Sequence, residues 1–432
     1  MEQDQPTSPA ESSPPADAPQ GLWNRDFLIL WLGLVQSALG NGFLAIGLVW
    51  LVLEKTGSPL AASVVLILEG LPELFGPLAG VLVDRSNKKR LMIGCDLIRG
   101  IFLVGLYVLY LQGLLHVYLL FAAAAFGGAL NLFYGPSVRI LIPGLVPDSR
   151  LPAANSALQL GSQAAMVLGT AVGGMVLATL GAPAALLIDG ISFLVMSAVL
   201  LFVRFPPNLL ASAGGTTARV LARELVAGLG YLRGAREILM MTVVVFGINL
   251  VLSPANVIFP VFSEQVLGAG VKGFGMLASA LGIGLFVGGI AAGTIGDRLH
   301  YRWAILIGLG GMSVFLASLS LTSSVWLAVV LAGCLGSMAL IIQVPLISHL
   351  QRAVPPSFQG RTFATMNSMV SLATPLGAAI FGQALELWSA ALAFQIAAGG
   401  CVAVALLWWL FGVGRAAGAP AAEGETPEPA PE

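Results

Sequence analysis

Glu69 and Glu73 interrupt an apolar run over residues 60–83 and stand four positions apart, so a helix puts both carboxyls on one face. Glu69 falls near the middle of that run and Glu73 one turn further along it. An ionised carboxylate surrounded by lipid costs a few kcal/mol, so both side chains must face protein or water. A carboxyl partly withdrawn from water can take up and release a proton near neutral pH, which makes the pair candidate proton carriers. Asp189 is a third acid inside an apolar run, residues 184–203. Other chemistries lack their residues. No G-x-x-x-x-G-K-[ST] segment exists and the chain holds four lysines, which excludes a P-loop ATPase within it. His116, His300 and His349 are scattered, as are Cys95, Cys334 and Cys401, so no metal site, disulfide framework or nucleophile elbow is assigned. No catalytic residue and no cofactor follows, and the chain does not read as an enzyme.

The elements that must position these acids are membrane helices. Of 432 residues, 57% are hydrophobic and 9% charged, against about 25% charged in a soluble domain. No charged residue occurs between Arg99 and Arg139, nor from Trp303 to Gln351. Since a spanning helix needs about 20 apolar residues, each stretch holds two. Twelve spans result, at 27–52, 60–83, 91–111, 117–138, 156–180, 184–203, 238–261, 273–295, 303–321, 325–346, 366–386 and 390–411. The fold class is an all-α polytopic membrane protein. Placing both termini in the cytoplasm puts eighteen of the twenty Lys and Arg on that side, leaving Lys55 and Lys272 outside. A net charge of −1 gives no case for a nucleic-acid partner; the basic residues are distributed by topology.

An internal repeat divides the chain. Gly76–Arg85 reads GPLAGVLVDR and Gly289–Arg298 reads GIAAGTIGDR, 213 positions apart, each running out of an apolar span into Asp-Arg and a basic loop. Asn155-Ser156 and Asn367-Ser368 repeat at nearly the same offset, 212. Six helices per copy leave both copies in one orientation, so the halves are parallel repeats. The organisation is a disordered cytoplasmic N-terminus (1–21) and a first six-helix bundle (22–203). A cytoplasmic linker with an amphipathic helix (204–237), a second bundle (238–411) and a disordered tail (412–432) follow.

GPLAGVLVDRSNKKR between the second and third spans resembles the loop signature of the major facilitator superfamily, and GTIGDRLHYR is similar to its second copy. GTAVGG from Gly169 to Gly174, with Gly161 before it, resembles the superfamily's antiporter motif, which usually has Pro where Thr170 stands. WLVLEKTGSP, CDLIRG, FYGPSVRILIPGLVP and LLIDGISF look like the branch of macrolide and enterobactin exporters. The resemblance covers 22–411.

Several expectations follow from it. Gly76, Gly80, Asp84, Arg85, Lys88 and Arg90, with Asp297 and Arg298 of the second copy, form a conformational-switch motif that latches the outward-open state. Its GxxxG spacing allows close helix approach, and Arg85, Lys88, Lys89 and Arg90 face the anionic inner leaflet. Asp96 and Arg99, three apart on one face, join that cluster. Gly161, Gly169, Gly173 and Gly174 form the antiporter-like motif. Asp189 lies on a peripheral helix, where bonding to neighbouring helices is its favoured role. Asn41 stands where related exporters often carry Asp. The family's cavity helices, the first, fourth, seventh and tenth, carry Asn41, Phe43, Phe126, Asn131, Tyr134, Phe246, Asn249 and Gln343 as candidate substrate contacts. Trp50, Phe133 and Asn256 lie on the same helices. Aromatic surface, isolated amides and no fixed cation suit a bulky, amphipathic, neutral or cationic solute.

The function implied is secondary active export of amphipathic small molecules by proton antiport with alternating access, in a monomer of the inner membrane. Its partners are a small-molecule substrate, protons as coupling ion and membrane lipids. An exporter of an endogenous metabolite such as a siderophore, and a lipid- or lysolipid-moving protein, have the same sequence features.

Overall fold

A computed structural model describes residues 21–75, 82–83, 86–206, 236–252, 255–295, 300–354, 366 and 369–412. Within them the chain is helical throughout, with no strand. The first half contains α1 (Arg25–Thr56), α2 (Pro59–Gly70, continued as a 3-10 helix Leu71–Phe75), α3 (Lys88–Leu111), α4 (Val117–Leu141), α5 (Leu151–Leu180) and α6 (Ala184–Phe202). The second contains α7 (Arg236–Leu252) and α8 (Ala255–Gln265), which together make one span, then α9 (Gly270–Ile295), α10 (Tyr301–Leu321), α11 (Val325–Ala353), α12 (Ala373–Leu387) and α13 (Ala390–Gly412). Eleven of the twelve expected spans are long and apolar enough to cross a membrane within the described residues. The other is α2, whose following residues, 76–81, lie outside them. Several helices run past their apolar stretch: α5 begins at Leu151, where apolarity alone places its start at 156.

Local signals set these boundaries. Asn24 caps α1 by accepting from the Phe27 N–H at 3.0 Å, and Gly57 closes it in the left-handed conformation, φ 64°. Ser58 caps α2 with Pro59 in its first turn, and Asn87 caps α3. Pro136, Pro260 and Pro345 sit inside α4, α8 and α11, which neighbouring helices in a membrane protein tolerate. The Lys89 ammonium donates to the Leu201 and Val203 carbonyls at 3.2 and 2.8 Å, capping the end of α6. Lys88 is 2% exposed. Neither lysine therefore faces the leaflet as the basic run suggests; in that run only Arg90, among the described residues, is exposed.

Helix pairing repeats between the halves. α1 packs on α5 and α6, α2 on α4, and α3 on α6; correspondingly α7 packs on α12 and α13, α9 on α11, and α10 on α13. The halves meet through α5 against α9 and α2 against α12. Their tightest contacts lie at the face away from the chain termini. A Cβ on Gly174 would overlap the Gly275 carbonyl, and the reverse also holds, so only glycine lets these backbones touch. Ser279 donates its hydroxyl to the Ala171 carbonyl beside this contact. Trp50 stacks on Phe274 at 5.5 Å and 12°, and Ser58 Oγ donates to Glu386 Oε2 at 2.9 Å. The two halves are thus sealed at that face.

Candidate functional site

On the terminal side of the seal lies a cavity of about 520 Å³. α1 supplies Asn41, α2 supplies Glu69 and Glu73, α3 supplies Arg99 and α4 supplies Asn131; Ser371 and Thr374 come from the second half. Glu69 and Glu73 are both exposed within the protein, as the apolar run around them requires. Gln159, Ser162 and Gln163 line the cavity from α5 and were not anticipated, although their spacing of three and four in an otherwise uncharged helix marks one polar stripe. Gly128 allows α4 to approach the Glu69 backbone, where a Cβ would overlap the Glu69 carbonyl.

Arg99 is the centre of the site. Its Nη2 donates to Asn41 Oδ1 at 3.0 Å, and its guanidinium lies 4.2 Å from the Phe193 ring centroid. Through space its charge acts on Glu69, Asp96 and Asp189. Arg99 and Asp96 meet residues of α1, α4 and α6, while Gly76, Gly80, Asp84 and Arg85 of the loop cluster they were expected to join lie outside the described residues. One expectation is corrected here: the cavity does contain a fixed cation, Arg99, which its recognition chemistry must accommodate. The Asn41 amide accepts from Arg99 and donates to the Ser37 carbonyl at 3.1 Å, so a neutral group satisfies both partners.

Behind Asn41 and Arg99 the cavity continues into a side pocket of about 170 Å³ lined by Asp96, Tyr134, Asn131 and Ser37. Asp96 is 2% exposed and stands beside the Tyr134 hydroxyl and the Arg99 guanidinium, with both of which it interacts. Asp189 is fully buried in α6, accepts from Ser192 Oγ at 3.1 Å, and fits against α1 because residue 40 is glycine.

The remaining candidates have other surroundings. Phe43 packs beneath Gly173, Phe126 meets Phe102 edge-on at 5.6 Å, and Trp50 belongs to the seal. Phe133 and Phe246 are half-buried, Gln343 is exposed, and Asn249 donates to the Val245 carbonyl of its own helix. The side chain of Asn256 lies outside the described residues. Gly161 sits under the Trp31 indole, Gly169 against Leu39 and Gly42, and Gly174 at the α9 contact. The antiporter-like motif therefore binds α5 to α1 and to the second half. Of the switch motif, Gly76, Gly80, Asp84, Arg85, Asp297 and Arg298 lie outside the described residues, as does the amphipathic linker over 207–235.

Similar proteins supply the family. A family model described as transmembrane secretion effector matches residues 18–430. This chain belongs to that family of major facilitator transporters. The transporter is 27% identical to macrolide efflux protein A of Streptococcus pyogenes over 82% of its own length and 88% of that protein. It is also 27% identical to the multidrug efflux pump Tap of Mycobacterium tuberculosis, over 88% of this chain and 93% of the pump. Among solved structures, the nucleoside transporter NupG superposes with a TM-score of 0.71 at 13% identity, covering 90% of this chain and 99% of that one. A peptide transporter follows at 0.68 and 14%, covering 91% and 96%. These last two likenesses establish the major facilitator fold. The transporter is a multi-pass membrane protein.

Proposed function

We propose that this transporter exports amphipathic small molecules, drug- and macrolide-like compounds among them, by proton antiport, with Glu69 as the proton carrier. The observation that carries the reading is the placement of Glu69 and Arg99 on the walls of one cavity between the halves. The names of the two efflux relatives support the substrate class. A monomer suffices, since one chain encloses the cavity. With both termini cytoplasmic, as the distribution of Lys and Arg requires, the sealed face is external and the cavity faces inward. Alternating access then consists of opening the α5–α9 and α2–α12 contacts at the seal and closing the halves at the inner face. A proton on Glu69 and substrate in the cavity bias this equilibrium in opposite senses, which is what antiport requires.

Glu69→Gln holds the neutral form permanently and keeps the cavity's shape. In inverted membrane vesicles the variant should still bind substrate but lose pH-driven accumulation by about tenfold or more, the range of a coupling free energy of 1–3 kcal/mol. Glu73→Gln should show a milder loss. Full pH-driven accumulation by Glu69→Gln would end the assignment of Glu69. Orientation is checked separately: Ser58→Cys should react with an impermeant thiol reagent from outside and Ser86→Cys should not, and the reverse pattern would invert the topology.

A further inference from the structure

We propose that the first turn of α10 is a binding site for an anionic phospholipid, with Arg302, His300 and Trp303 holding its phosphate headgroup. The site lies outside the transport cavity, and its chemistry does not depend on the transported compound. From the reading above it takes only the cytoplasmic placement of the termini, which thiol labelling at Ser58→Cys checks separately. A cleft of about 330 Å³ opens there, lined by His300, Arg302, Trp303 and Leu306. That is the small end of the range for ligand pockets, about 300–1,000 Å³, and suits a headgroup whose chains lie elsewhere.

The helix face leading into the cleft already points to lipid. Trp303, Ile307 and Val314 recur at intervals of four and seven, so they share one face, and each is more than half exposed. On a membrane helix such an apolar stripe meets acyl chains, and a Trp at its end marks the headgroup level. Trp409, at the end of the α13 helix packed on α10, is exposed in the same way. With the termini cytoplasmic, this end of α10 meets the inner leaflet, whose surface is anionic. A soluble anion has no use for the stripe; a lipid fits both parts.

The repeat sets this end apart from its counterpart. Arg302 stands 213 positions after Lys89, which is turned inward onto the Leu201 and Val203 carbonyls. Arg302 lies instead on the cleft wall. Its Nε donates to the Tyr301 hydroxyl at 3.0 Å, which fixes the direction of a planar fork suited to phosphate oxygens. Tyr301 is itself held, stacked on His349 of α11 at 3.8 Å and edge-on to Trp408 of α13 at 6.3 Å. The His300 ring lies 4.6 Å from Tyr301, and its Nδ1 accepts from the Arg302 N–H at 3.4 Å. The neutral ring then carries its proton on Nε2, a second donor, and the Trp303 indole N–H is a third. One cation and two neutral donors on a pre-positioned wall complement a phosphodiester of net negative charge. A zwitterionic headgroup would bring its own cation to the same cleft.

The test uses phosphatidylglycerol and phosphatidylcholine with identical chains, brominated near the glycerol, as quenchers of tryptophan fluorescence in the purified full chain in detergent. Wild type should bind phosphatidylglycerol about fivefold or more tightly, the ratio set by one arginine facing an anionic lipid. Arg302→Gln should level that preference. Arg150→Gln, at an exposed arginine of the first half, should change it less than about twofold. At saturating lipid, Trp303→Phe should remove the excess quenching by phosphatidylglycerol over phosphatidylcholine. Since Trp303 is exposed, this variant keeps the packing of α10, and it decides the matter if Arg302→Gln fails to fold. Equal affinity of wild type for the two lipids overturns the site, as does a preference that survives Arg302→Gln or excess quenching that survives Trp303→Phe. An equal loss in Arg150→Gln would reduce the effect to general surface charge and end the proposal. Glycerol 3-phosphate should not displace the lipid; displacement at matching concentration would make this a soluble-anion site and overturn the lipid assignment.

Discussion

The two halves can be compared position by position where the repeat is in register. α3 begins at Lys88 behind the Asn87 cap, and α10 begins 213 residues later at Tyr301 behind the His300 cap. Eight and eleven positions into α3 stand Asp96 and Arg99; the same places in α10 hold Leu309 and Met312, exposed to 1% and 0%. α3 and α6 of the first half pack as α10 and α13 do in the second. Helix pairing and chemistry have thus separated. The first half carries Glu69, Asp96, Arg99 and Asp189 in its interior, and the second supplies an apolar counter-surface with Ser371 and Thr374 at the cavity. A charge in low-dielectric surroundings must be matched by partners on several helices at once, whereas an apolar contact needs only volume. One functional set therefore suffices, and the other copy can revert to packing.

The comparison can be broken most severely at Arg99. Arg99→Met installs the second half's residue and leaves Asp189 and Asp96 with no nearby cation. Loss of one member of a buried charge network costs about 3–5 kcal/mol, so thermal unfolding monitored by fluorescence-detected size exclusion should move down strongly, and transport should vanish. A volume-conserving change at the matching position of the second half, Met312→Leu in α10, should cost less than about 1.5 kcal/mol and leave transport intact. Comparable losses from both would mean that the halves share the work.

An intermediate effect is expected at the seal. Gly275→Leu places a side chain where α9 touches the Gly174 backbone, so the face away from the termini cannot close. Overpacking of this kind costs about 1–3 kcal/mol. Labelling of a cysteine placed in the cavity from the external side should rise, and net export should fall, while membrane insertion stays normal. Phe274→Ala, which removes the partner of Trp50, should act in the same direction but more weakly, since the stacked pair adds about 0.5–1.5 kcal/mol beyond the area it buries.

The smallest effect belongs to the rim. Glu386 accepts from Ser58 Oγ at 2.9 Å and from the Leu60 N–H at 3.3 Å, all at exposed positions. Glu386→Gln should change transport less than about threefold, because exposed polar contacts contribute about 0–1 kcal/mol. A larger change would show that the rim, and not the glycine contact, holds the halves together.

The sequence by itself determined the membrane class, the helix count, the parallel repeat and the family. Each of these follows from a local or periodic property: a run of about 20 apolar residues, the placement of Lys and Arg, an Asp-Arg loop recurring at 213. It also placed Glu69 and Glu73 on one accessible face, since a carboxylate leaves an apolar helix little choice. What it could not determine was which helices face each other across the interior. Arg99, eleven residues into α3, reads from the sequence as one more cation near the inner end of a span. Only the packing of α1, α3 and α6 brings it to Asn41 and Phe193. The side pocket is likewise a product of tertiary structure, because its walls come from residues dozens of positions apart. Lys88 and Lys89 show the same limit: charge predicts the side of the membrane, and the neighbouring helix end decides whether that charge meets lipid or a row of carbonyls.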